Sequence, residues 1–209
     1  RGMSHRDSKR TANKIKNASF EEPPGPWRKS TWSGKAEIDI APEGRHGTKS
    51  ARIRSESGAD ASWSFSTDVR PGARYRLSAW IRTKDLAAGS GRGALLNIHE
   101  LQNPPVATPA VSGTSDWRLV EATFSAERAE KITVNCLFGG WGQSRGEACF
   151  DEVSLVELGG GGLAGRAGAV VSTVTRHYAQ RGPSDSVADV LVSMKAADPA
   201  LAAFVLDGL

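Results

Sequence analysis

From residue 18 to residue 158 the sequence is a succession of short segments with strand periodicity, separated by turn residues. Residues 61–69 show the pattern most clearly, because Trp63, Phe65 and Val69 alternate with serine and aspartate. Such alternation is typical of a strand with one buried face. About eight or nine such segments, without helical periodicity between them, predict antiparallel sheets in a sandwich or barrel. Roughly 140 residues suffice for two packed sheets around a core.

The same alternation predicts the strand bounds and one face of the core. Tyr75, Leu77, Ala79 and Ile81 are expected to share a buried face, because side chains two residues apart point to the same side of a strand. The predicted strands cover residues 18–22, 35–40, 50–55, 61–69, 74–84, 94–101, 117–125, 131–138 and 150–158.

Both ends of the chain differ from this β region, which spans residues 17–158. Residues 1–16 hold six lysines and arginines against one acid. Because no aromatic residue lies among these charges, we expect a disordered basic linker and no nucleic-acid partner. Residues 159–166 are a glycine-rich linker, and residues 167–209 are rich in Ala, Val and Leu at helical spacing. The latter predict a short α-helical segment, the beginning of a flanking domain of the parent chain.

The chain is expected neither to span a membrane nor to carry its own secretion signal. It contains no apolar run of about 18 residues or more, which a spanning helix requires. The charged N-terminus lacks the apolar segment of a signal peptide. Because the chain opens at Arg1-Gly2 without an obvious start, it resembles a piece of a longer protein.

One glycine pattern matches a dinucleotide-binding fingerprint only nominally. Gly160, Gly162 and Gly165 have the required spacing, and Asp185 follows about twenty residues later. The preceding segments are all-β, and no apolar parallel strand follows. The interpretation as a linker is therefore favoured.

Motifs for hydrolytic catalysis are absent from the sequence. The four histidines are scattered and belong neither to a zinc-protease motif nor to a nucleophile-elbow motif. No isolated pair of carboxylates lies in an apolar setting, as a glycosidase would need. We therefore expect no enzymatic activity.

The two cysteines, Cys136 and Cys149, lie in consecutive predicted strands. A disulfide is possible if these strands lie side by side or face each other. Two buried free thiols are the alternative. No Cys-x-x-Cys motif is present, so a zinc or haem motif is absent.

The tryptophans are the most informative side chains for function. Six of them occur in a chain with two tyrosines. Trp63 and Trp117 are predicted to be structural. Trp80 lies on an otherwise polar strand face that includes Arg76. An indole among polar side chains suits a sugar ring, which stacks on the indole while its hydroxyls form hydrogen bonds.

Other residues are expected to contribute to the same binding surface. Asn97 and His99 share a strand face, and Trp141 lies in a glycine-rich loop. Trp27 and Trp32 follow a proline-rich turn, which predicts that both are exposed. The predicted ligand-binding residues are Trp80, Trp141, Trp32, Trp27, His99, Asn97 and Arg76.

Several segments in order resemble carbohydrate-binding modules of families 4, 9 and 22 over residues 16–158. They are Asn17-Ala-Ser-Phe-Glu-Glu22, Trp27 with Trp32-Ser-Gly34, Gly47-Thr-Lys-Ser-Ala-Arg-Ile53, Val69-Arg-Pro-Gly72, Tyr75-Arg-Leu-Ser-Ala-Trp-Ile81, Gly113-Thr-Ser-Asp-Trp117 and Phe150-Asp-Glu-Val-Ser-Leu155. The resemblance implies a galactose-binding-like jelly roll of two antiparallel sheets. It also implies an extracellular or periplasmic location and a polysaccharide or oligosaccharide partner.

The resemblance further implies a structural calcium ion. Its carboxylate ligands would be Glu21 and Asp151, and the backbone carbonyls near Lys49 would complete the shell. Ca²⁺ prefers such hard oxygen ligands. The alternative is an Asp151 carboxylate that only accepts hydrogen bonds. Cys149 departs from the family pattern, in which an aromatic residue is common at this position.

The leading hypothesis is a non-catalytic, calcium-stabilised glycan-binding module of a larger extracytoplasmic protein. A structural or protein-interaction sandwich without a sugar site is the alternative, and a catalytic jelly roll is a third. The exposure of Trp80, Trp141 and Trp32 separates the first two, because fully buried indoles cannot stack on a sugar.

Overall fold

The computed structural model describes residues 12–23 and 25–158, and these residues form nine strands. The predicted 159–166 linker, the predicted helical segment and most of the basic segment lie outside the described residues. The strands are β1 (Arg28–Gly34), β2 (Glu37–Ala41), β3 (Ser50–Asp68), β4 (Arg74–Ala87), β5 (Gly93–Gln102), β6 (Pro105–Ala107), β7 (Gly113–Ser125), β8 (Lys131–Gly139) and β9 (Ser144–Glu157).

All strand pairs are antiparallel, and they form two sheets that share β3. The first sheet has the order β6-β5-β8-β3-β1, and the second has the order β2-β3-β9-β4-β7. The predicted all-β, two-sheet antiparallel sandwich is confirmed. No helix occurs in the part of the chain that the structure describes.

Strand β3 joins the two sheets because it bends in its middle. Residues 50–55 pair with β2 and β9, whereas residues 60–68 pair with β1 and β8, and Ala59 at the bend pairs with both β1 and β9. The register shifts between Ser55 and Ala59, and Gly58 between them has a φ of 106°. Glycine adopts this conformation without a Cβ clash. The prediction of two separate strands at 50–55 and 61–69 was therefore wrong.

The core lies between the inward faces of both sheets. Trp63 and Phe65 from the first sheet are 0% and 4% exposed, as the alternation predicted. Tyr75, Leu77 and Ile81 from the second sheet are fully buried. Burial of each such apolar side chain stabilises the fold by roughly 1.5–3 kcal/mol.

The segment 18–22 was predicted as the first strand and is a turn instead. Asn17 and Phe20 have positive φ angles of 49° and 57°. The Asn17 side chain closes the turn, since it donates to the carbonyl of Glu22 and accepts from the N–H of Glu22, at 3.0 and 3.2 Å. Asparagine tolerates such a conformation and often bonds its local backbone. The turn places the Phe20 ring in the core.

The two cysteines are free thiols and both are buried. Cys136 lies opposite Trp63 and points into the core, whereas Cys149 lies between Arg52 and Arg82 on the outer face of the second sheet. The disulfide alternative is therefore wrong. Burial raises the pKa of both thiols, so both stay protonated near neutral pH.

Within the described ranges, no helix has the length and apolar character needed to cross a bilayer.

Candidate functional site

A cleft of about 360 Å³ lies on the outer face of the first sheet. Trp32 and Trp141 line it, and each of these residues is 51% exposed. They are the only tryptophans among the exposed large hydrophobic residues that the structure describes. The remaining lining residues are Asp60, Asn97, His99, Gln102, Asn135 and Leu137.

The polar floor of the cleft results from the alternation in β5 and β8. Leu96 and Ile98 point into the core, so the intervening Asn97 points outward, and Asn135 does the same from β8. The two asparagines are register partners. The Asn135 side chain donates to the Asn97 carbonyl oxygen at 2.9 Å, which fixes both amides. Each amide has donors and an acceptor that this single bond does not use.

Trp32 lies on β1, which pairs with β3 alone among the described strands. The register shifts between Thr31 and Ser33, so Trp32 is the bulged residue. Bulges redirect side chains on sheet edges. The bulge thus contributes to the exposure of this indole beside the cleft.

Trp141 lies in the loop 139–143 between β8 and β9. Its φ is 60°, in the left-handed region that residues other than glycine rarely adopt. The guanidinium carbon of Arg92 lies 5.3 Å from its ring centroid, which is a cation–π distance. The Trp141 side chain is therefore exposed to solvent while Arg92 packs against its ring.

The family model described as "Carbohydrate binding domain" (CBM_4_9) matches residues 12–137. The chain belongs to this family. The match covers both Trp32 and the polar floor of the cleft. No curated protein sequence matches the chain.

Solved structures resemble this carbohydrate-binding domain in fold. A Stig cyclase from Fischerella sp. TAU is 16% identical with a TM-score of 0.50, over 70% of this chain and 97% of that chain. The CBM22-1 xylan-binding domain of Paenibacillus barcinonensis Xyn10C is 17% identical with a TM-score of 0.47, over 68% of this chain and 92% of that chain. The enzymatically active domain of bacteriophage CBA120 tailspike protein 4 is 16% identical with a TM-score of 0.49, over 70% of this chain but only 21% of that chain.

Four predicted ligand-binding residues lie in the cleft: Trp32, Trp141, Asn97 and His99. Trp80 and Arg76 lie on β4 in the second sheet. The prediction that Asn97 and His99 share a surface with Trp80 was therefore wrong. The guanidinium carbon of Arg45 lies 3.6 Å from the centroid of the Trp80 ring and covers one of its faces.

Trp27 was predicted to be exposed, but its side chain is only 5% exposed. Its ring lies against Phe20 and Phe65, with centroid distances of 4.7 and 5.3 Å. Its Nε1 donates to the carbonyl of Lys16 at 3.2 Å. The proline-rich turn returns the chain to the core, so Trp27 is a core residue of this carbohydrate-binding domain.

A larger cavity of about 680 Å³ lies at the bend of β3, beside the second sheet. Charged residues such as Lys35, Glu56 and Arg145 line it, and none of its described lining residues is aromatic. A sugar ring would find no stacking surface there. The smaller cleft is the better candidate for the functional site.

Asp151 is fully buried, and its carboxylate accepts hydrogen bonds from three backbone N–H groups. One carboxylate oxygen accepts from Arg45 at 2.7 Å and from His46 at 3.1 Å, and the other accepts from Glu152 at 2.6 Å. Burial raises the pKa of Asp151, although these N–H donors oppose the shift. This geometry agrees with the alternative given for Asp151, a carboxylate that accepts hydrogen bonds.

Glu21 is likewise surrounded by hydrogen-bond donors. Its carboxylate accepts from the N–H and the hydroxyl of Thr48, both at 2.9 Å, and from the N–H of Lys49 at 2.8 Å. The Lys49 ammonium donates to the Glu21 carbonyl at 2.7 Å. In residues 12–23 and 25–158, no three acidic, histidine or cysteine side chains come together as a metal site. In this arrangement the N–H and O–H donors satisfy the Glu21 carboxylate.

Proposed function

We propose that this domain binds a neutral polysaccharide or oligosaccharide, without catalysis, in the cleft between Trp32 and Trp141. One observation carries the proposal: two half-exposed indoles line one cleft whose floor is a pair of buried amides. A pyranose ring stacks its C–H face on an indole, and its hydroxyls exchange hydrogen bonds with amides. Membership of the carbohydrate-binding domain family supports the same function.

The charges of the cleft favour a neutral glycan. Asp60 is its only carboxylate, and neither lysine nor arginine occurs among its described lining residues. A uronic acid would bring a second negative charge near Asp60, and none of the described lining residues is a lysine or arginine; the Arg92 guanidinium lies against the Trp141 ring. The single carboxylate also supports a binding role, because glycosidases commonly use two carboxyl groups.

Exposure of the indoles favours sugar binding over the structural alternative. A sandwich that had lost its sugar site would have no need of two indoles at 51% exposure on one cleft. In the parent protein, the domain would tether flanking domains to polysaccharide outside the cytoplasm.

Affinity gel electrophoresis tests the proposed function. We expect migration to be retarded by at least one neutral polysaccharide and little by pectin or another polyuronate. If the domain migrates freely through every neutral polymer, the proposal that it binds glycan is wrong. Retention by polyuronates alone would overturn the assignment to neutral glycans.

Calcium stays a prediction of the family resemblance. If an ion stabilises the native state, its removal lowers the melting temperature in proportion to the binding free energy that is lost. Calorimetry with EDTA and then with excess Ca²⁺ measures this directly. Given the N–H donors at Glu21 and Asp151, we expect a shift of at most about 2 °C, equivalent to less than about 1 kcal/mol. A larger fall that Ca²⁺ reverses would establish the calcium site.

A further inference from the structure

We propose that Asp60 is a positioning residue for Trp141, whose indole it holds at the cleft by binding the backbone of the loop 139–143. This inference rests on the proposed function, because Trp141 matters there as a stacking surface. Asp60 itself comes from β3, the strand that both sheets share. The anchor of the loop is therefore part of the most extensively paired strand of the fold.

The loop needs an anchor because its backbone is unusual. Gly139, Gly140 and Trp141 have successive φ angles of 103°, 70° and 60°. A residue with a side chain in this region persists only where its surroundings enforce the conformation. Nothing in the indole itself favours this backbone, so the enforcing contacts must come from neighbouring segments.

Asp60 supplies the central contact. Its carboxylate oxygen accepts the N–H of Gly140 at 3.2 Å, and the N–H groups of Trp141 and Gly142 also favour its ionised form. Successive backbone N–H groups in such turns make a concave site for an anion. The Asp60 carboxylate thus takes the place of a bound anion beneath Trp141.

The loop fits closely against Asp60 and its neighbours. A Cβ atom on Gly139 would lie 3.0 Å from the Cα of Asp60 and 2.4 Å from the carbonyl oxygen of Gly142. The Gln143 side chain donates to the Ser33 hydroxyl at 2.6 Å. Since Ser33 follows Trp32, this bond connects the loop to β1, the strand that carries Trp32. The two indoles are therefore held by one connected network.

The effect of D60N on stability distinguishes a positioning role of Asp60 from a purely structural one, because the ionised carboxylate is partly buried. Burial raises the pKa of Asp60, and the carboxylate forms no ion pair within the described part of the chain. A carboxyl with a raised pKa in the folded state binds protons more readily there than in the unfolded chain, so its ionisation as pH rises destabilises the fold. Asparagine at this position removes that penalty. Loss of binding without loss of stability is therefore the expected signature of D60N.

The experiment uses D60N, W141A, the double variant and the matched control D68N. Asp68 lies exposed at the end of the same strand. Affinity for a retained neutral polysaccharide is measured by titration calorimetry, and melting temperatures are recorded in parallel. We expect D60N to weaken binding about tenfold and D68N to leave it unchanged, with neither variant melting lower. Adding D60N to W141A should change the affinity by less than about twofold, because residues that act as a unit are not additive.

A full D60N effect in the W141A background would show that Asp60 acts on the glycan directly, and would overturn the proposal. Amide hydrogen exchange without glycan provides a second test. In D60N, the amides of Gly140, Trp141 and Gly142 should exchange at least about tenfold faster, while those of β4 keep their protection. Unchanged exchange in the loop would also overturn the proposal. Because this measurement needs no ligand, it remains decisive if no polysaccharide is retained.

Discussion

Replacement of Trp141 or Trp32 by alanine is expected to weaken glycan binding by about thirtyfold or more, since truncating a central aromatic contact typically costs ~2 kcal/mol or more. Both indoles line the cleft, and each keeps half of its surface available to a ligand. In the proposed site, a sugar ring would lose its apolar contact with the indole, whereas the amides of Asn97 and Asn135 would remain available for hydrogen bonds. Affinity should fall even though the polar floor is intact.

Stability should change little in the same variants. Each side chain is 51% exposed, so its removal leaves no sealed cavity in the core. We expect the melting temperature of W32A and W141A to stay within about 3 °C of the parent value, because exposed substitutions usually change stability by about 0.5 kcal/mol or less. Titration calorimetry and thermal unfolding on the same samples separate the two effects.

L119A is the matched control for these variants. Leu119 is also 51% exposed, but it lies on β7 in the second sheet. We expect L119A to bind the same polysaccharide with the affinity of the parent domain. Equal losses in L119A and W32A would show that exposed apolar surface in general, and not the cleft, retains the glycan. Unchanged affinity in both tryptophan variants would contradict the assignment of the cleft.

The alternation along single strands predicted the inward faces well. Trp63 and Tyr75 are fully buried on the predicted sides of β3 and β4. Alternation is a local property, and it records which side chains share a face of one strand. It does not record which strands are neighbours. Trp80 and Asn97 were therefore assigned to one surface although their strands belong to different sheets.

Four lining residues of the cleft, namely Asn135, Gln102, Asp60 and Leu137, were missed for the same reason. Asn135 becomes a partner of Asn97 only through the register of β5 against β8. Gln102 and Asp60 reach the cleft from the end of β5 and from the bend of β3. A signal for Asn135 existed, because it interrupts an apolar run between Val134 and Cys136. The bend had no comparable signal, since a lone glycine is equally typical of a turn between two strands.

W27A is expected to have the opposite effect from W32A, although the two positions are only five apart in the sequence. The alternatives predict different results for W27A. If Trp27 is a core residue, W27A should lower the free energy of unfolding by about 3–5 kcal/mol, because the surrounding side chains cannot fully fill the cavity that the indole leaves. Its contacts with Phe20 and Phe65 would be lost, together with the hydrogen bond from Nε1 to Lys16. If Trp27 instead stacked on the sugar, W27A would weaken glycan binding and change the free energy of unfolding little.

Urea denaturation of W27A, with W27F as its control, measures this difference. W27F keeps most of the apolar volume and loses the Nε1 donor, so it should cost less than half as much as W27A. The linear slope against denaturant should stay constant if both variants remain two-state. A W27A domain that is as stable as the parent but has lost its affinity would restore Trp27 to the binding site. We expect the reverse, a less stable domain whose folded molecules bind glycan with the parent affinity, because Trp27 packs in the core, whereas Trp32 lines the cleft.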